Sequence, residues 1–133
     1  MRGLKVKPLP PAARDTLHAH TGAVTLSGYE KPLRSSTETM LVTSLLDSAT
    51  VAEINVRLDY TDTQGRMLHS REVTLTVDIP PGETRQAAFP SWDRQHTYYY
   101  RLNQAPQRAQ GTPFDVKATP LWIILKTESN DTK

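Results

Sequence analysis

The feature that most constrains this chain is a pair of alternating segments between Val51 and Ile79, joined by the tight turn Asp62-Thr63-Gln64-Gly65. Ile54, Val56, Leu58 and Tyr60 alternate with Glu53, Asn55, Arg57 and Asp59. On the return, Val73, Leu75, Val77 and Ile79 alternate with Glu72, Thr74, Thr76 and Asp78. A period of two separates the side chains onto opposite faces, so the pattern predicts a half-buried antiparallel hairpin. Its register is tightly specified, because a slip of one residue would bury Arg57 and Asp59. Gly65 is placed to supply the left-handed residue of a type I turn with a bulge. Met67 and Leu68 are adjacent apolar residues of opposite parity, which predicts a bulge or strand break just beyond the turn.

Similar signals run through the rest of the chain. Val24 and Leu26 open a first strand, and Thr37 to Leu46 make a second, in which Met40-Leu41-Val42 reads as buried on both faces. Pro80-Pro81-Gly82 forces the chain round, and Glu83 to Phe89 is a further short strand. His96 to Leu102 is aromatic and extended; Thr112 to Leu125 is a long final strand whose Pro120 requires an edge or a bulge. Seven or eight strands at short intervals, with no helical pattern, predict an all-β, immunoglobulin-like antiparallel β-sandwich over residues 21–126. Its expected core draws on Val24, Leu26, Met40 and Val42, on the inward positions of the hairpin, and on Phe89, Tyr98 and Tyr100. Leu102, Phe114, Val116 and Trp122 complete it. Residues 1–20 read as a basic, Pro-containing flexible arm, with room for one helical turn at Asp15 to Ala19 and no more. Residues 127–133 read as a polar tail.

The 133 residues suit one domain with a single modest core, and a hydrophobic fraction of 37% describes a soluble chain. A net charge of +2 gives no bulk attraction to nucleic acid, so no nucleic-acid partner is expected. The charge is unevenly placed. Arg2, Lys5, Lys7 and Arg14 make the first fourteen residues wholly basic and leave the remainder slightly acidic. Without cysteine there is no disulfide, thiolate nucleophile or thiolate metal site. The longest apolar run, Leu121 to Leu125, is far short of the roughly 20 residues that cross a bilayer, so no transmembrane segment is expected. Met1 to Arg14 lacks the apolar stretch of a signal peptide. That points to the cytoplasm, or to the mature region of an exported protein.

The residues offer little chemistry. His18 and His20 sit two apart with no third ligand in reach, a poor zinc site. His69 and His96 are isolated, no Gly-x-Ser-x-Gly elbow activates a serine, and no phosphate-binding or dinucleotide loop occurs. Asp62 most simply accepts turn hydrogen bonds. No enzyme activity, metal or cofactor is expected. The one cluster that suggests recognition is Trp92-Asp93-Arg94-Gln95-His96, followed by Tyr98, Tyr99, Tyr100 and Arg101. If Tyr98 and Tyr100 share the core face, Tyr99 and Arg101 face outward. Tyr, Trp and Arg dominate recognition surfaces, which makes Trp92, Tyr99 and Arg101 the candidate binding residues. In the competing reading Trp92 caps one end of the sandwich and Tyr99 covers a sheet face.

The string Val56-Arg57-Leu58-Asp59-Tyr60-Thr61-Asp62-Thr63-Gln64-Gly65, followed by Ile79-Pro80-Pro81-Gly82-Glu83-Thr84, resembles the FxLYD-type β-sandwich domains over roughly Met40 to Phe89. Asp59 here precedes the aromatic Tyr60, where the family has the Asp after it. The resemblance implies a small immunoglobulin-like module of bacterial envelope proteins and lipoproteins, with no catalytic residues. The sequence therefore leads to a non-catalytic binding or spacer module of the periplasm or cell envelope, with a protein or glycan partner. The alternative is a structural subunit that self-associates through an exposed edge strand.

Overall fold

The computed structural model describes residues 14–18, 22–103 and 111–126, with the backbone alone for 14–18. The expected tail at 127–133 lies outside the described residues, as does the expected arm up to residue 13. Within the stretch read as arm, Arg14–His18 forms a strand, β1. It is followed by β2 (Val24–Glu30), β3 (Thr37–Ser44), β4 (Thr50–Asp62) and β5 (Met67–Ile79). The last three are β6 (Thr84–Pro90), β7 (Tyr98–Tyr100) and β8 (Thr112–Lys126), and no helix occurs among the described residues.

The strands form two sheets. One has the order β1-β8-β4-β5 with β7 also paired to β8; the other has the order β2-β3-β6. Their inner faces share one core in a sandwich-like arrangement. Val24, Met40, Val42, Ala87 and Phe89 come from the smaller sheet; Ile54, Val56, Leu58, Tyr60, Phe114 and Ile123 come from the larger. Ile54, Val56, Leu58 and Tyr60 have no exposed surface, whereas Arg57 is exposed, as the alternation requires. Every pairing is antiparallel except β7 with β8, which run parallel, a departure from the all-antiparallel expectation. That follows from the connection: the chain leaves β7 and crosses over before entering β8, where a tight hairpin would have reversed it.

The turns match their chemistry. Gly65 has φ 87° and its N–H donates to the Asp62 carbonyl at 3.0 Å, and the β4–β5 register slips at Leu68. Gly82 has φ 77° and the Glu83 N–H donates to the Pro80 carbonyl at 3.1 Å, with Pro81 and Gly82 in the central positions that a type II turn favours.

Three expectations about the core need correction. Leu102 is 66% exposed, because β7 ends at Tyr100 and the Asn103 N–H closes a turn on the Tyr100 carbonyl. Trp122 is half-buried and lies beside Asn55 on the outer face of the larger sheet. The register skips Leu121 between the pairs Val56–Pro120 and Asn55–Trp122, and this bulge inverts the parity of β8. Phe114, Val116 and Ala118 point inward before it, and Ile123 and Leu125 after it. Leu41 is half-buried on the outer side of β3, so that run is not buried on both faces.

On the side of β8 away from β4, β7 covers residues 112–114 and β1 covers 122–126. Between them, residues 115–121 pair only with β4 among the described residues. Pro120 lies in this stretch.

Candidate functional site

The polar and aromatic side chains gather at one end of the sandwich, where β2 passes into β3 and the 91–103 segment crosses it. Glu38 has the parity of Met40 and Val42, so the alternation that buries those two buries it as well. Its Oε1 accepts from the hydroxyls of Tyr29 (2.8 Å) and Tyr60 (2.7 Å). Its Oε2 accepts from Arg71 Nη2 (2.8 Å) and the Trp92 N–H (2.7 Å). Arg71 also donates to the Tyr60 hydroxyl at 3.1 Å and the Pro90 carbonyl at 2.8 Å. A buried carboxylate is tolerated only when paired and saturated in this way. Burial, and then the Glu38 charge, push the Tyr29 and Tyr60 hydroxyls well above the ordinary phenol range, so both stay donors.

A second buried ion lies beside the first. Lys31 is fully buried, and Nζ donates to the Tyr98 carbonyl (2.7 Å), Asp93 Oδ2 (3.1 Å) and the Leu33 carbonyl (3.3 Å). That uses all three ammonium protons. Asp93 Oδ2 also accepts the Tyr98 N–H at 2.7 Å, and Oδ1 accepts the Thr97 hydroxyl at 3.2 Å. Burial pushes the Asp93 carboxyl up, but the backbone N–H groups of Tyr98 and Thr97, together with Lys31, outweigh it and hold it below the usual carboxylate range. The Lys31 backbone completes the tie: its N–H donates to Asn103 Oδ1 at 2.8 Å and its carbonyl accepts the Tyr100 N–H at 3.0 Å. The 91–103 segment is therefore held at both ends and in the middle.

Trp92 packs against the core. Its ring stacks on Tyr60 at 4.7 Å, tilts against Tyr98 at 5.0 Å and meets Phe114 edge-on at 5.4 Å. His69 stacks on it at 5.9 Å and 12°. Its Nε1 is buried and has no hydrogen-bond partner among the described residues. Tyr99 is half-buried near Gly111, at whose position a Cβ would stand 3.0 Å from the Tyr99 ring. Arg101 is exposed and its Nε donates to Asp115 Oδ1 at 2.7 Å. No ring contact or hydrogen bond among the described residues joins Trp92 to Tyr99 or Arg101. The outward part of the segment consists of Arg94, Gln95, His96 and Thr97, followed by Arg101 and Leu102.

Elsewhere, Asp62 accepts from the N–H groups of Gln64 and Arg66, both at 2.9 Å, as its turn position predicts. His20 lies outside the described residues, and only the backbone of His18 is placed. Among the described residues no group of three or more His, Cys, Asp or Glu is placed to hold a metal ion, and no helix is long and apolar enough to cross a membrane.

No family model matches this chain, nor does any curated protein or solved structure.

Sequence reasoning missed Lys31, Glu38 and Arg71. For Glu38 a signal existed, since it shares parity with Met40 and Val42. For Arg71 there was a weaker one, its parity with Val73 and Leu75. Lys31 lies in a connection between strands, where no periodicity applies.

Proposed function

We propose that this chain is a non-catalytic, immunoglobulin-like β-sandwich module of a bacterial envelope protein or lipoprotein, sited in the periplasm or cell envelope, that binds a protein or glycan partner. The observation that carries this reading is the saturation of the buried ions. Glu38 accepts four hydrogen bonds and Lys31 donates three, all within the chain. A catalytic acid or base must keep a proton or lone pair within reach of a substrate, and these groups have neither to spare. Their effect is to hold the 91–103 segment in place. A loop already held loses little freedom on binding, and Tyr99 and Arg101 are residue types that anchor interfaces.

The connectivity supports the immunoglobulin-like part. The chain places β2 and β3 in one sheet, β4 and β5 in the other, and returns β6 to the first. The envelope setting draws on the FxLYD-like pattern of Val56 to Gly65 and Ile79 to Thr84.

Surface plasmon resonance against immobilised envelope glycans and envelope proteins of the parent bacterium tests the reading. The wild type should be captured, and Tyr99→Ala with Arg101→Ala should weaken capture about tenfold or more. Capture that both substitutions leave intact, or turnover of an ester, phosphate or glycoside by the wild type, would overturn it.

A further inference from the structure

We draw no further inference here: the strongest candidate, the hollow between β2 and β8 lined by Leu26, Met40, Val116 and Ala118, carries nothing because nothing in the structure shows what covers it.

Discussion

Replacing Lys31 with methionine keeps all but the terminal atom of the side chain's length and removes its charge, which isolates the contribution of the buried ammonium. Three acceptors lose their donor at once: Asp93 Oδ2, the Tyr98 carbonyl and the Leu33 carbonyl. Removing one partner of a buried pair costs about 3–5 kcal/mol, because the other charge is left uncompensated. Asp93 keeps the Tyr98 N–H and the Thr97 hydroxyl, so the lower end, about 3 kcal/mol, is expected. For a chain of this size that corresponds to a fall of about 10 °C in melting temperature. Urea unfolding of Lys31→Met, Asp93→Asn and the double variant measures it, and the double variant should recover about 1–2 kcal/mol relative to the sum of the singles. The pH dependence has a definite sign. Asp93 is held below its ordinary value in the fold, so its contribution is complete above about pH 4 and is lost as the pH falls through the depressed folded value. The penalty of Lys31→Met should therefore be largest near neutrality and shrink in acid. A penalty under about 1 kcal/mol, or strict additivity of the two substitutions, would refute the reasoning.

Three further outcomes can be measured directly. Of the 5 tyrosines, Tyr29 and Tyr60 should give no phenolate absorbance until the protein unfolds, and the stability they lend should be complete below about pH 10 and decline above it. Gly111→Ala should destabilise by about 1–3 kcal/mol in denaturant unfolding, since its Cβ would stand 2.9 Å from Leu33 Cδ1 and 3.0 Å from the Tyr99 ring. Tyr100→Ala, which removes a ring packed against Tyr29 and Phe114, should cost about 3–5 kcal/mol, and Tyr99→Ala clearly less; equal losses in thermal melts would place Tyr99 in the core.

The hairpin from Thr50 to Ile79 was legible because residues 53–60 and 72–79 keep a period of two and its turn contains an unambiguous glycine. The inward set Ile54, Val56, Leu58 and Tyr60 is fully buried, and the slip at Leu68 falls where adjacent apolar residues announced it. Periodicity failed where a bulge intervened. Leu121 inverts the parity of β8, so Trp122 and Ile123 exchange the faces that an unbroken count assigns them. Arg14–His18 carries no alternation, and its strand exists because β8 offers an edge over Trp122–Lys126. The candidate site was legible as a cluster and not as an arrangement. Trp92 joined the aromatic core through Tyr60, Tyr98 and Phe114, and Arg101 found Asp115; neither partnership follows from spacing along the chain.

The position of β8 has a consequence for how the protein is made. This strand lies between β1 and β4 in its sheet, yet it is the last of the described strands to leave the ribosome. About fifty residues separate the end of β4 from the start of β8. At roughly 5–20 residues per second, β4 waits several seconds for its neighbour. Throughout that interval Ile54, Val56 and Leu58 can pack only against β5 and the smaller sheet, while one edge of β4 stands open to any passing strand. Mistimed pausing between Pro80 and Gly111 would lengthen that exposure. Synonymous codon changes there should alter the yield of folded protein while leaving the stability of the finished molecule untouched.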